Sequence, residues 1–157
     1  MLFRSDLTMR EYLSEIISSF KEISKKNFIF NFDQYSNIKK ITKSIEIVYG
    51  LRNFIGNANK FSKETIYITL KSDSEMTEII IEDDGNGYPR DVLSKIGEPY
   101  LRSKDPIEKA KIGLGLGLFI GKTLLEKNFA SINCRNSKTR SGAEVIIKWS
   151  NKDLFNI

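Results

Sequence analysis

Three glycines, Gly113, Gly115 and Gly117, alternate with apolar residues and are followed by LFIGKTLLEKNF at 118–129, which has the composition of an apolar helix. The stretch fits neither common phosphate-binding motif. In the P-loop pattern Leu116 stands where the first glycine should be, and in the pattern G-x-G-x-x-G an apolar residue replaces the last glycine. A glycine loop that opens a helix still offers backbone N–H groups and the positive end of the helix dipole to an anion. Alternatively, the glycines only allow a turn to pack closely against a sheet.

The rest of the chain mixes helical and strand-like patterns. Apolar residues recur at helical spacing in 7–23 and 44–61, and the glycine run opens a third helix that reaches about residue 128. Strand-like segments lie at 27–32, 38–41, 65–72, 75–84, 130–136 and 142–149. This order predicts an α+β fold, a two-layer α/β sandwich with helices on one face of a mixed sheet. We expect a single domain over 1–157, with 1–25 as an N-terminal helix or linker that leads into it.

Composition excludes several kinds of site. The chain has no histidine, which excludes a His-based catalytic dyad, a His metal site and a phosphohistidine formed on this chain. The net charge of +5 arises from 25 basic and 20 acidic residues spread along the chain, which favours a solvated surface over a nucleic-acid-binding stripe. No apolar run of about 18 residues occurs, so we expect a soluble chain without membrane contact. The single cysteine, Cys134, is expected to be a buried structural thiol.

The predicted helix at 44–61 carries Asn53, Asn57 and Lys60 on one side, beside an apolar stripe. Asparagine is a poor helix former in a helix interior, so two of them one turn apart require a reason. One interpretation is a wet face of the helix. The other is a functional face, with an amide oxygen for Mg²⁺ and an ammonium group for a phosphate.

A second candidate feature is DDGNGYP at 83–89, which follows an apolar strand and turns on Gly85 and Gly87. Taken alone, this sequence is also typical of an ordinary hairpin turn. The stretch from Gly97 to Ile112 contains basic residues and two prolines but little apolar material, which predicts a mobile lid. An Asn-bearing helix, an Asp-Gly loop after a strand and a Gly-rich helix start together predict a nucleotide site.

Four stretches resemble, in this order, the four boxes of the catalytic domain of sensor histidine kinases: NFIGNANKFS, DDGNGYP, GEPYLRSK and GLGLGLFIGKTLLE. They extend from Asn53 to about Glu126, nearly half of the chain. This family belongs to a superfamily that also contains gyrase, the Hsp90 chaperones and MutL, and that binds ATP on a sheet under a lid. The sequence GEPY followed by GLGLGLFIGKTLLEK is most similar to redox-responsive proteobacterial kinases of the RegB type.

The resemblance implies a role for each matching residue. Asn57 would be the Mg²⁺ ligand, Asn53 would support it one turn earlier, and Lys60 would neutralise charge that develops on the phosphate during transfer. Asp83 would bind adenine, because a carboxylate accepts from the exocyclic amino group of adenine but repels the carbonyl of guanine. The other implied ATP-binding residues are Gly85 and Gly87 beside the base, Tyr100 before the lid, and Gly113, Gly115 and Gly117 at the phosphates.

The departures from the family pattern also bear on activity. Asn53 stands where ATP-hydrolysing relatives and anti-sigma serine kinases carry a glutamate base, so we expect no efficient ATP hydrolysis by this domain. Tyr100 replaces the phenylalanine that is common before the lid. This is a mild change, because a tyrosine ring can pack in the same way. The late glycine box is reduced to SGA at 141–143.

The resemblance therefore implies the ATP-binding catalytic domain of a two-component sensor histidine kinase, with ATP and Mg²⁺ as cofactors. It would donate the γ-phosphoryl group to a histidine on a separate dimerisation and phosphoacceptor domain of the same kinase, for relay to a response regulator. The implied location is the cytoplasmic part of a membrane-anchored sensor. The alternative, supported by the missing histidine, is a regulatory or degenerate ATP-binding module. A nucleic-acid binder ranks last, because the sequence lacks a basic stripe or an aromatic platform.

Overall fold

The computed structural model describes residues 6–33, 39–42, 44–93, 95 and 116–155. Within these ranges the elements follow in the order β1 (Asp6–Thr8), α1 (Met9–Lys21), β2 (Asn27–Phe32), β3 (Lys40–Thr42), α2 (Ile45–Phe61), β4 (Thr65–Ser72), β5 (Met76–Asp83), α3 (Arg90–Leu93), α4 (Leu116–Lys127), β6 (Ser131–Asn136), β7 (Ala143–Ser150) and α5 (Asn151–Leu154). None of the helices in these ranges is long and apolar enough to cross a membrane.

Five strands form a mixed sheet in the order β2-β4-β5-β7-β6, while β1 and β3 form a separate antiparallel pair. Strand β2 runs parallel to β4, and the remaining neighbours are antiparallel. The α+β architecture predicted from the sequence, a mixed sheet with helices on one face, is confirmed.

The inner face of this sheet is apolar. Side chains on β4 and β5 alternate between buried and partly exposed positions, which is the period of a strand covered on one side. The buried members of these two strands include Ile66, Ile68, Leu70, Ile79 and Ile81. Ile66 pairs with Asp83, the last residue of β5, so the apolar face ends at the carboxyl group of Asp83.

Helices α2 and α4 pack against each other at glycines. A Cβ atom at Gly50 would lie 2.6 Å from Cγ of Leu125, and one at Gly121 would lie 3.0 Å from the ring of Phe54. A side chain at Gly50 would require Leu125 to move, and one at Gly121 would be tightly packed against Phe54, so the two helices approach closely at these glycines.

The two helices run antiparallel. The N-terminal end of α2 meets the C-terminal end of α4 through Ser44 Oγ and Asn128 Oδ1, 3.5 Å apart, and through Glu46 and Lys127, 3.1 Å apart. The C-terminal half of α2 therefore lies beside the beginning of α4.

The end of α4 has the hydrogen bonds of a Schellman motif. The N–H of Ala130 donates to the carbonyl of Leu125 at 3.0 Å, and the N–H of Phe129 donates to Glu126 at 3.1 Å. Phe129 has a φ of 71° although it is not glycine, and its side chain is 70% exposed. Indole Nε1 of the buried Trp149 donates to the carbonyl of Asn128 at 3.1 Å, which joins β7 to the end of this helix.

The predicted elements and the observed ones differ mainly at the N-terminus. The helix predicted from residue 7 begins at Met9, because Thr8 and Glu11 form a capping box and residues 6–8 form β1. The strand predicted at 38–41 is described only at 40–42, where it pairs with β1. The predicted lid, together with Tyr100, Gly113 and Gly115, lies outside the described residues.

Candidate nucleotide site

A cavity open to solvent lies at the end of β5, where α2, α3 and the beginning of α4 meet. Its lining residues are Asn57, Phe61, Asp83, Gly87, Tyr88, Pro89, Val92, Leu118 and Ala143. The lining is mostly apolar, with one carboxyl group and one side-chain amide, a combination that suits a flat ligand with a few polar groups.

Asp83 contributes the carboxyl group, and it is only 3% exposed. Its Oδ1 atom accepts hydrogen bonds from the N–H groups of Gly85 at 2.8 Å and Ala143 at 3.3 Å. Among the residues that the structure describes, none donates to Oδ2. Burial raises the pKa of Asp83 above its ordinary value, although the two N–H donors act in the opposite direction. One carboxylate oxygen is thus fixed by the backbone, and the other can accept a hydrogen bond from a ligand.

Two glycines allow the backbone to approach this carboxyl group and its loop. A Cβ atom at Gly142 would lie 2.1 Å from Asp83 Oδ1 and 2.2 Å from the Asp83 carbonyl oxygen. A Cβ atom at Gly85 would lie 2.2 Å from the carbonyl oxygen of Phe61 at the end of α2. Both positions therefore require glycine for steric reasons.

Asp84 connects the loop to the beginning of β4. Its carboxylate accepts from the N–H groups of Lys63 at 2.8 Å, Glu64 at 3.1 Å and Thr65 at 3.2 Å. Burial by itself raises the pKa of Asp84, but these three donors outweigh it, so the pKa lies below its ordinary value. The carboxylate therefore remains ionised and holds the first turn of the loop.

The other end of the loop contacts β6. Gly87 has a φ of 78°, and the next residue, Tyr88, forms two backbone hydrogen bonds with the side chain of Asn136. The Tyr88 hydroxyl interacts with the thiol of Cys134 on the same strand. Burial raises the pKa of Cys134 to about 11, which agrees with a structural rather than a reactive thiol, although the residue is half-buried and not fully buried as predicted.

The predicted polar face of α2 divides into three environments. Asn57 lines the cavity, whereas Asn53 does not: its Nδ2 atom donates to the Tyr49 carbonyl at 2.8 Å. Asn53 instead lies against α4, where a Cβ at Gly117 would be 3.7 Å from its Oδ1 atom. Lys60 is exposed, and its Nζ atom lies 5.3 Å from the centre of the Phe61 ring.

The structure thus brings together in the cavity three residues singled out in the sequence, Asn57, Asp83 and Gly87. Sequence reasoning assigned no role to the apolar lining residues or to Asn136, and it noted Gly142 only as part of the reduced glycine box at 141–143. Phe61 had a signal, since it lies one helical turn after Asn57 and would be placed on the same side.

Residues 42–153 match the family of histidine kinase-, DNA gyrase B-, and HSP90-like ATPases. The chain belongs to this family. Among its relatives, the sensor histidine kinase RegB of Cereibacter sphaeroides is 38% identical over 124 residues, which cover 69% of this chain and 27% of RegB. The sensor protein kinase PilS of Pseudomonas aeruginosa is 30% identical over 99 residues, covering 59% of this chain and 18% of PilS. The chain thus spans little more than a quarter of RegB.

Solved structures of sensor kinases have the same fold. The catalytic domain of histidine kinase ThkA superposes with a TM-score of 0.74 at 22% identity, covering 96% of this chain and 98% of that domain. The mycobacterial sensor histidine kinase MprB gives a TM-score of 0.72 at 19% identity, covering 94% and 97%. The resemblance to the histidine kinase catalytic domain, with RegB among the similar proteins, is therefore confirmed.

Proposed function

We propose that this chain is the ATP-binding catalytic domain of a two-component sensor histidine kinase, and that it forms a single domain. It transfers the γ-phosphoryl group of Mg-ATP to a histidine on the dimerisation and phosphoacceptor domain of the same kinase, which then serves a response regulator. Membership of the ATPase family and the similarity to RegB support this proposal. The proposal also places the domain in the cytoplasm, as part of a membrane-anchored sensor.

The observation that carries the nucleotide assignment is the state of the Asp83 carboxyl group. Two backbone N–H groups donate to Oδ1, whereas Oδ2 has no donor among the described residues. Asp83 lines the cavity. A carboxylate oxygen in the lining of a cavity, without a donor among the described residues, favours a ligand that brings an N–H donor. The exocyclic amino group of adenine is such a donor, whereas guanine presents a carbonyl at the same place and would be repelled.

The remaining residues fit a metal-bound triphosphate. Asn57 offers an amide oxygen beside the cavity, and the described residues contain no cluster of three or more acidic, histidine or cysteine side chains that could hold a cation alone. Mg²⁺ characteristically keeps waters and substrate phosphates as most of its ligands, so one amide oxygen is compatible with it. In this proposal Asn57 holds the metal, Asn53 supports the Asn57 turn, and Gly117, Gly113 and Gly115 contribute N–H groups at the phosphates.

Phosphoryl transfer requires little covalent chemistry from the protein. The bond between the γ-phosphorus and its bridging oxygen breaks, ADP leaves, and a bond forms between phosphorus and an imidazole nitrogen of the acceptor histidine. Lys60, exposed at the end of α2, would stabilise the negative charge that develops on the transferred group. Asn53 provides no general base, so transfer to water should be slow.

Calorimetric titration of the 157-residue chain tests the nucleotide assignment. ATP and ADP should bind in the presence of Mg²⁺, GTP should bind much more weakly, and Asp83→Asn should weaken adenine nucleotides by about 1–3 kcal/mol. Equal affinity for GTP, or no binding of ATP or ADP, would contradict the proposal.

A labelling experiment tests the transfer. With radiolabelled ATP, the chain alone should form no acid-labile phosphoprotein and release only traces of phosphate. When its cognate histidine domain is added as a separate protein, that domain should be labelled slowly, because the effective concentration of a tethered partner is lost. ATP binding without any labelling of a folded cognate domain would instead support the regulatory module.

A further inference from the structure

The end of β6 holds the loop that follows Asp83 through one side chain. Asn136 Oδ1 accepts from the backbone N–H of Tyr88 at 2.6 Å, and Asn136 Nδ2 donates to the backbone carbonyl of Tyr88 at 3.0 Å. A side-chain amide has one acceptor and one donor side by side, which matches the N–H and C=O of a single extended residue. Asn136 therefore acts toward Tyr88 as a neighbouring strand would.

The same side chain explains why position 87 is glycine. Gly87 has a φ of 78°, a conformation that side chains disfavour, and a Cβ atom there would lie 2.7 Å from Asn136 Oδ1. The amide therefore occupies the space that a side chain at 87 would need. Gly87 and Asn136 form one steric unit although 48 residues separate Asn136 from the neighbouring Tyr88.

Asn136 also lies opposite Ala143, which lines the cavity. It pairs with Ala143 across β6 and β7, and the N–H of Ala143 donates to Asp83 at 3.3 Å. The ends of these two strands thus hold both sides of the cavity loop, at Asp83 and at Tyr88. Gly87, Tyr88 and Ala143 all line the cavity.

We propose that Asn136 is a positioning residue for the base end of the nucleotide site: its side chain fixes the Gly87–Tyr88 peptide and so keeps the cavity open in the shape that receives the base. The inference rests on the proposed nucleotide function. It adds that the residue responsible lies on the edge strand β6, outside the four sequence boxes.

The test compares two asparagines on this strand. Asn136→Ala should weaken ADP binding about tenfold, since two hydrogen bonds that order the loop are lost. Asn133→Ala is the matched control. Asn133 is also exposed, but it lies three residues before Asn136 on the same strand, so its side chain is on the opposite face of the sheet. Asn136→Asp is the conservative variant. It retains the acceptor for the Tyr88 N–H but brings a carboxylate oxygen against the Tyr88 carbonyl, so it should weaken ADP binding as Asn136→Ala does.

A double-mutant cycle separates positioning from a general loss of stability. Gly87→Ala should weaken ADP binding in the wild-type chain, and the additional loss should be smaller in the Asn136→Ala background, because the clash with Oδ1 is then removed. Strictly additive losses would overturn the inference, as would wild-type affinity in Asn136→Ala or an equal loss in Asn133→Ala. If the wild-type chain itself binds no ADP, the proposed function fails, which is a different outcome from all of these.

Discussion

Gly142, in the turn between β6 and β7, lies against Asp83 at the end of β5. No Cβ atom fits at 142, because it would come within 2.1 Å of Oδ1 and 2.2 Å of the main-chain oxygen of Asp83. The carboxyl group that is central to the proposed site therefore depends on a glycine in the turn between β6 and β7. This relationship gives the truncated stretch SGA a purpose that its sequence alone did not reveal.

Gly142→Ala should disturb both folding and binding, since backbone atoms cannot move aside as a flexible side chain can. We expect a loss of about 1–3 kcal/mol in unfolding free energy, as for other overpacked positions, together with weaker ADP binding. Urea unfolding and calorimetry measure the two effects. Gly117→Ala is the control for stability, because a Cβ there makes only an ordinary contact at 3.7 Å. Unchanged stability in Gly142→Ala would contradict the close contact.

The pH dependence of stability should reveal the cost of the buried Asp83 carboxylate. Because burial raises the folded-state pKa above the unfolded value of about 3.9, the contribution of Asp83 to stability is complete below that value and is lost as the pH rises through the folded-state pKa. Asp83→Asn removes this dependence. At pH 7 the variant should melt at the same or a higher temperature than the wild type, and the difference should shrink at pH 4.

Asp83→Ala provides the matched comparison for that experiment. It leaves the N–H groups of Gly85 and Ala143 without their acceptor, which should cost about 1–3 kcal/mol for each group that stays unsatisfied. An Asp83→Asn variant that melts well below the wild type at every pH would show that the charge itself stabilises the fold.

Asn57→Ala should remove the dependence of ATP affinity on Mg²⁺, because the proposed protein ligand of the metal is lost. Titrations with Mg²⁺ and with a chelator measure this directly. Asn59→Ala is the control on the same helix, since the Asn59 amide oxygen accepts from Ser24 Oγ at 2.7 Å. That variant should lose some stability and keep the metal dependence. A strong Mg²⁺ effect that survives in Asn57→Ala would refute the metal assignment.

Lys60→Ala should slow transfer more than it weakens binding, if the ammonium group acts on charge that develops in the transition state. We expect kcat for labelling the cognate histidine domain to fall by about a hundredfold while the Kd for ATP changes little. Lys63→Ala serves as the control, because Lys63 is also exposed and close in sequence. Parallel losses in kcat and affinity would indicate ordinary phosphate binding by Lys60.

Phe129→Gly should stabilise the domain by about 0.5–1 kcal/mol, because glycine adopts the left-handed conformation of the Schellman motif without strain. The side chain is 70% exposed, so little buried surface is lost. Phe129→Ala retains the strain and should bring no comparable gain. Thermal unfolding of the two variants checks this, and a lower melting temperature in Phe129→Gly would mean that the phenyl group makes a stabilising contact.

Local patterns were sufficient for most of the fold. The alternation in NFIFNF predicted β2 with the observed bounds, and the apolar stripe of 44–61 predicted α2, which starts one residue after its cap Ser44. Strand β1 was missed, because three residues carry no period and their extended conformation depends on pairing with β3. The parallel pairing of β2 and β4 likewise results from contacts that no local pattern encodes.

The residues of the candidate site were likewise predictable only in part. Asp83 was predicted as a site residue from the resemblance of DDGNGYP to a box of the histidine kinase catalytic domain, because this sequence alone is also typical of a hairpin turn. Gly142 was noted only as part of a reduced glycine box, and Asn136 was not predicted, since it is a single asparagine at a strand end. Their importance follows only from what they touch, Asp83 in one case and Gly87 with Tyr88 in the other.

The hydrogen bond between Trp149 and the carbonyl of Asn128 also makes the tryptophan a fluorescent probe of the position of α4. Trp149 is the single tryptophan of the chain, it is fully buried, and its indole is attached to the last turn of α4. Tryptophan fluorescence therefore comes from one position, and its emission wavelength reports whether the end of α4 remains docked on the sheet. A nucleotide that shifts α4 can be followed without any label, and one that leaves the emission unchanged has left this end of the helix in place.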